Sequence, residues 1–196
     1  MIHSNKNFFM PHIELNNDLA GIRGLMAFRP ETAGPMGALA NILLWDSEGL
    51  SRAERELIAT RVSWLNDCFY CHNSHGELAC VYLDGDRALV DQVRKDYEHA
   101  AISDKLKALL AIADKVQQGG RAVQPSDIER ARQQGATDMD IHDTVLIAAA
   151  FCMFNRYVDG LAANTPTDMS TYPPRARQVA EKGYGNHIFS LQQPVG

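Results

Sequence analysis

An all-α fold is what this sequence predicts, on three observations. Alternating Val/Ile/Thr runs flanked by hairpin dipeptides are missing. Apolar residues recur instead at helical intervals. Capping-box and glycine stop signals bracket those stretches. In chain order, Ser51-Arg-Ala-Glu54 has capping-box spacing and precedes Leu57, Ile58, Val62 and Leu65, so a helix starts there. Asn66-Asp67 supplies N-cap candidates for a second helix beginning at Cys68. Leu106, Leu109, Leu110, Ile112, Ala113 and Val116 form a helical stripe that stops before Gly119-Gly120. Ser126-Asp-Ile-Glu129 repeats the capping-box spacing after Pro125. The run Ile141 to Leu161 is apolar nearly all round, which predicts a centrally buried helix. Gly34, Gly49, Gly85 and Gly135 punctuate the pattern, and Pro166, Pro173 and Pro174 open a polar tail with one short helix.

The chain also echoes itself weakly. Gly49-Leu-Ser51 leads into one long helix and Gly135-Ala-Thr137 into another, with Asp140 at the place of Glu54. Phe154 and Tyr157 stand where Cys68 and Cys71 would, so the expectation is two similar helical hairpins, the first alone carrying the cysteine pair.

Bulk composition narrows the function classes. The formal charge of −5, from 24 acidic and 19 basic residues, comes without a Lys/Arg-rich run, so neither nucleic acid nor an anionic membrane is an expected partner. The first residues, Met1 to Pro11, show no apolar core of signal-peptide length and no small-residue cleavage site. The longest apolar run, Val145 to Phe154, falls short of the roughly 20 residues that span a bilayer. A soluble, cytoplasmic protein is expected. Four cysteines in a chain without an export signal do not suggest a disulfide scaffold, so a Cys-x-x-Cys pair reads as redox-active or metal-binding. Cys80 and Cys152, in apolar helical context, read as buried packing residues.

Chemistry concentrates between Glu56 and His75. On a helix starting at Cys68, the residues Cys68, Cys71 and His75 are spaced i, i+3, i+7 and fall within about 60° of one another. His72 lies at the edge of that face, one turn from Cys68. A free cysteine, with a pKa of about 8.5, is mostly an unreactive thiol at neutral pH, so the site needs a device that lowers it. The helix N-terminus favours a thiolate at Cys68. An imidazole at His75 favours one at Cys71, where a carboxylate behind it drains or returns the proton. Glu56 lies on the preceding helix and reaches the site if the turn near Asn66 is tight. Its face continues through Thr60 and Ser63, a polar stripe suited to a relay through hydroxyls or water. Between the two thiols Cys71 is the expected nucleophile, because imidazole also accepts the proton. Arg156 and Asp159 read as an ion pair.

The pattern Glu56-x11-Cys68-x2-Cys71-x3-His75 resembles the active-site signature of AhpD-like alkylhydroperoxidases, within the carboxymuconolactone decarboxylase superfamily, and in particular its peroxidase-related subgroup. Phe28-Arg-Pro-Glu31, Val62-Ser-Trp-Leu-Asn66, the Gly135 segment and Phe154-Asn-Arg156 extend the resemblance over roughly residues 25 to 165. It implies an AhpD-like helical domain at 25–165, with an N-terminal segment, 1–24, and a C-terminal tail, 166–196. It further implies a homo-oligomer (dimer, trimer or hexamer) that reduces hydroperoxides without metal or organic cofactor and is reset by a thiol- or dithiol-carrying protein. By the same resemblance Cys71 is the peroxide-attacking thiol, Cys68 the resolving thiol, His75 the relay histidine and Glu56 the distal base. This chain departs from the family at Tyr70, where the best-characterised members carry histidine. A phenol with a pKa of about 10 is no base at neutral pH. His72 is the candidate substitute, with Tyr70 and Ser63 as further relay candidates.

Four rivals compete with that expectation. Cys68-Phe-Tyr-Cys71-His72 spells the covalent haem motif, but attachment is normally completed outside the cytoplasm. Zinc on Cys68, Cys71, His72 and His75 crowds four ligands onto two helical turns, which suits a tetrahedral site poorly. A lactone decarboxylase-type lyase on the same fold does not call for the dithiol. A non-catalytic redox sensor begins with the same thiol oxidation as a peroxidase.

Overall fold

Nine helices and short 3-10 turns carry the backbone of the computed structural model, which describes residues 11–45 and 48–184, with no strand among them. The helices are α1 (Ile22–Phe28), α2 (Pro30–Leu44), α3 (Arg52–Leu65), α4 (Phe69–Tyr82), α5 (Arg87–Asp96), α6 (Asp104–Gln118), α7 (Pro125–Gln133), α8 (Asp138–Gly160) and α9 (Tyr172–Lys182). The stretch read as lacking an export signal, up to Met10, and the end of the C-terminal tail from 185 lie outside the described residues. Among the described residues no helix is long and apolar enough to cross a membrane.

Helix α3 is central: α4 runs alongside it, α5, α6 and α8 pack on it, and α9 covers α4. Its apolar positions Leu57, Ile58, Ala59 and Val62 enter one core with Leu109, Leu110 and Ile112 of α6 and Ile147 and Phe151 of α8. Burial of each large side chain contributes about 1.5–3 kcal/mol. A guanidinium sits inside this apolar body. Arg55 is 1 % exposed, pairs with Asp143 of α8 at 2.8 Å, and donates to the carbonyls of Leu43, Glu48 and Leu50. Those bonds tie the end of α2 and the loop after it to α3 and α8. The segments flanking the expected 25–165 domain join the same body. The backbone N–H of His12 donates to Leu161 and that of Gly21 to Asn164, while Ala176 and Val179 of α9 pack on Leu78.

The reversal between α3 and α4 sets the position of the cysteine pair. Asn66 ends α3, and Asp67 adopts the left-handed conformation (φ 56°). The Cys68 N–H donates to the Ser63 carbonyl and the Asp67 N–H to that of Trp64, the paired bonds of a Schellman motif. Asp is among the few non-glycine residues that adopt this conformation readily. Asn66 and Asp67 therefore close the preceding helix instead of capping the next one. Cys68 itself is the extended N-cap of α4, with no side-chain capping bond.

Other expectations are refined in the same way. Both echo sites form full capping boxes, Ser51 with Glu54 and Thr137 with Asp140. The echo then ends, because α8 continues unbroken through Phe154 and Tyr157, where the cysteine hairpin has its left-handed turn. Helix α7 starts at Pro125 and not at the Ser126 spacing: Gln124 precedes it and its N–H donates to Asp127 at 2.8 Å. Gly34 does not interrupt α2, which continues through Gly34-Pro35 and buries Ala33, Gly37, Leu43 and Leu44. Central burial of α8 is only half met. Ile147, Phe151 and Val158 are buried, but Leu146 and Met153 are 36 % and 48 % exposed. Cys80 is buried as expected, whereas Cys152 on α8 is only half-buried. Arg156 donates to the Cys152 carbonyl, and Asp159 faces Cys68 in place of the expected ion pair.

The turn yields a direct test. Asp67→Gly should leave thermal stability equal or slightly raised. Asp67→Val should cost about 1–2 kcal/mol, because a β-branched side chain resists the left-handed region. Thermal unfolding of the two variants checks this; an unaffected Val variant would mean the turn bears no strain.

Candidate active site

Helices α3 and α4 run antiparallel from the Asp67 turn, so Glu56, near the start of α3, comes level with His75, two turns into α4. Glu56 Oε2 lies 2.7 Å from His75 Nδ1, and the carboxylate is fully buried. The second oxygen is also held. Tyr184 Oη, from the segment after α9, donates to Glu56 Oε1 at 2.5 Å and lies 3.2 Å from His75 Nδ1. Burial first, and the Glu56 charge second, push the Tyr184 phenol well above its ordinary range, so it stays a donor. A carboxylate only accepts hydrogen bonds, which makes Nδ1 the protonated ring nitrogen and leaves Nε2 as the acceptor. Phe151 holds the imidazole edge-on at 4.5 Å between centroids, and Tyr184 lies nearly parallel to it at 6.0 Å.

The two sulfurs have different surroundings. Cys71 lines a cavity of about 180 Å3 together with His75, Ser74, Tyr70, Phe151 and Tyr184. Cys68 is completely buried behind it, packed among Leu15, Leu25, Val158 and Ala163. The Cys68 thiol is pushed up, first by its hydrogen bond with Cys71, then by burial and by the neighbouring Cys71 sulfur, with Asp159 adding to the effect. Asp159 is raised by burial and receives a hydrogen bond from Cys68. The helix-dipole expectation of a more acidic Cys68 is thus outweighed: one amide terminus does not offset burial against the Cys71 sulfur and Asp159. Both cysteines are free thiols.

The relay candidates separate. Tyr70 lines the cavity, and burial, chiefly, raises its phenol. It packs so closely on Gly21 that a Cβ there would lie 2.1 Å from the ring, and Gly21 has φ 57°, so glycine is required twice over. His72 points away from the cavity, into a slot between Trp64, Phe69 and Arg94. Burial, then the Arg94 charge, lowers it to about 4. Ser63 accepts from Asn155 Nδ2 at 3.1 Å, within a network that continues to Asn66 and Gln117. Thr60 is buried without a hydrogen-bond partner for its hydroxyl, and its methyl faces Gly76. The Thr60–Ser63 stripe is therefore a packing seam between α3, α4 and α8, not part of the cavity. No group of three or more His, Cys, Asp or Glu side chains converges as a metal site among the described residues, so the four zinc candidates do not gather.

Comparison with known proteins places this arrangement. Residues 30–80, from α2 through the cysteine pair, match the carboxymuconolactone decarboxylase family. The structure of an uncharacterized peroxidase-related protein from Silicibacter sp. TM1040 is 30% identical, with 78% of each chain covered and a TM-score of 0.70. The chain belongs to the AhpD-like, peroxidase-related proteins of the carboxymuconolactone decarboxylase superfamily. A second structure, an alkylhydroperoxidase AhpD core from Ralstonia eutropha JMP134 described as an uncharacterized peroxidase-related protein, is 27% identical over 83% of this chain and 94% of that one, with a TM-score of 0.71. A protein from Agrobacterium tumefaciens shares the fold at 23% identity, 74% and 97% coverage and a TM-score of 0.62. Among curated proteins no significant match is found.

Sequence reasoning missed Tyr184 at this candidate site and gave Asp159 a different partner. Tyr184 lies far along the chain from Glu56, and the only local signal is Gly183. That glycine has φ 74°, and a Cβ on it would approach Asn41 Oδ1 to 2.5 Å. Asp159 was seen, but as a partner for Arg156, because i, i+3 spacing suggests a pair on one helix.

His72 makes stability depend on pH. Its folded pKa of about 4 lies below the ordinary 6.5, so the unfolded chain takes up a proton that the folded chain refuses. The His72 contribution is complete above about pH 6.5 and is lost as pH falls toward 4. Thermal unfolding of wild type and His72→Gln between pH 7.5 and 4.5 should show a shallower decline for the variant. Parallel curves would remove His72 as the cause.

Proposed function

We propose that the protein is a thiol-dependent peroxidase that reduces organic hydroperoxides at Cys71 and resolves the oxidised sulfur with Cys68. The observation that carries this reading is the division of the pair: Cys71 lines the cavity beside an imidazole oriented by a buried carboxylate, while Cys68 waits behind it as a protonated thiol. His75 Nε2 takes the Cys71 proton, with Glu56 and Tyr184 fixing the ring. The Cys71 thiolate attacks the distal oxygen of R–OOH, the O–O bond breaks, and the leaving alkoxide takes the proton from His75 as R–OH. Cys71 is then a sulfenic acid. The Cys68 sulfur attacks it, the S–O bond breaks and the disulfide forms, and the Cys68 proton passes by way of Asp159 to the leaving hydroxide, which departs as water. A dithiol-bearing protein returns two electrons and two protons by thiol–disulfide exchange. The reading calls for no metal or organic cofactor. A homo-oligomer is also proposed; the exposed apolar residues Met139, Leu146 and Met153 on α8 support it, and light scattering should give at least twice the 21.7 kDa chain mass.

Intact mass before and after one equivalent of an alkyl hydroperoxide tests the chemistry. The wild type should lose two hydrogens, mapped to a Cys68–Cys71 disulfide. Cys71→Ser should abolish peroxide consumption, and Cys68→Ser should accumulate sulfenic or over-oxidised Cys71. An unchanged wild-type mass would remove the peroxidase reading and turn attention to lyase substrates. Oxidation without turnover on supply of a dithiol would leave a redox sensor.

A further inference from the structure

We propose that the substrate of this cavity carries a carboxylate: an apolar hydroperoxide of medium chain length whose anionic group is bound by Arg23 and Arg175. The inference rests on the peroxidase reading for the reactive end of that molecule and on the cavity itself for the anionic end.

The lining is dominated by apolar side chains, and its full charges are the guanidiniums of Arg23, just inside α1, and Arg175, in the first turn of α9. Among the described residues no Asp or Glu lines it. Two cations facing one apolar space would ordinarily be neutralised by carboxylates, yet neither arginine forms an ion pair among the described residues. Among the described residues Arg175 donates to the Gln178 side-chain carbonyl at 2.8 Å. The charged and titratable groups that act on it are Arg23, Tyr70 and Tyr184, with no carboxylate among them. Outside the described residues, 1–10 and 185–196 contain no Asp or Glu, and 46–47 contain the single carboxylate Asp46. Burial, and then the neighbouring Arg23 charge, lowers Arg175 from its ordinary value, the signature of a cation held half-buried without its counter-ion. A planar guanidinium in that setting matches a carboxylate in bidentate fashion. Ser74 and Tyr70 line the same cavity as Cys71 and the two arginines.

Size narrows the class further. At about 180 Å3 the cavity is somewhat larger than the ~150 Å3 apolar cavity that accepts benzene, which suits an aryl ring or a chain of roughly six to eight carbons.

The test uses a matched pair, 8-hydroperoxyoctanoate and 1-hydroperoxyoctane, with octanoate as an unreactive probe in calorimetry. Wild type should favour the carboxylate peroxide at least about tenfold in kcat/KM, chiefly through KM, as expected for a charge-assisted hydrogen bond. The ratio should fall toward unity in Arg175→Gln and Arg23→Gln and be partly retained in Arg175→Lys, with folding checked by circular dichroism. Octanoate should bind wild type and lose about tenfold or more in Arg175→Gln. Turnover of both peroxides without preference would overturn the anion site and leave the peroxidase standing. Octanoate binding that depends on Arg175, with neither peroxide consumed, would do the reverse. Octanoate binding that is absent or indifferent to Arg175 overturns the inference.

Discussion

The left-handed turn at Asp67 couples backbone geometry to chemistry in this molecule. It ends α3 with two closing hydrogen bonds and starts α4 on Cys68. The antiparallel hairpin that results is what brings Glu56 against His75. Without the reversal, the carboxylate and the imidazole lie on unrelated surfaces. With it, burial of the α3 apolar face against α6 and α8 also fixes the height of Glu56 along α4, so core packing and site assembly share one determinant. The buried Arg55–Asp143 pair supports the same helix from below, anchoring the α3 N-terminus to α8. Such a pair adds little net stability, but removing one partner leaves a buried charge without compensation.

Within that frame the cysteines differ by position and not by residue type. A thiol in contact with solvent or substrate is available to a peroxide; one sealed among Leu15, Leu25 and Val158 is available only to its neighbour. Electrostatics act in the same sense, because burial, the Cys71 contact and Asp159 all raise the inner thiol. In the proposed mechanism the outer thiol gives its proton to the imidazole, while the inner one stays protonated until the outer sulfur is oxidised. The division of labour in a dithiol couple follows from which sulfur the core encloses.

Much of this was legible in the sequence. Helix periodicity, the capping boxes of α3 and α8 and the Gly119 stop are local signals, and they recur in the structure at the stated residues. The signature from Glu56 to His75 was legible because the hairpin that joins them is short and its turn chemistry is written in Asn66-Asp67. The errors have a common source. Ser126 against Gln124, and Asn66-Asp67 as a cap, were misplaced by the same feature: several polar residues at a boundary can each close or open a helix, and backbone geometry selects among them. His72 shares a helix with Cys71 and His75, but its ring is drawn into a pocket made by Trp64 and Arg94. Both arginine and tryptophan come from other helices, and spacing along α4 says nothing about them.

What the sequence by itself determined is the helical class, the hairpin and the segment that supplies the candidate thiols, imidazole and carboxylate, because those depend on contacts within a few turns of one chain segment. What only the tertiary structure decided is which side chains complete the site from a distance. Tyr184 reaches Glu56 from beyond α9, Asp159 reaches Cys68 from the end of α8, and Arg23 and Arg175 reach one cavity from opposite ends of the chain. Such contacts are set by how helices pack, through apolar surfaces whose pairing is non-directional, so no periodicity or motif in the chain records them.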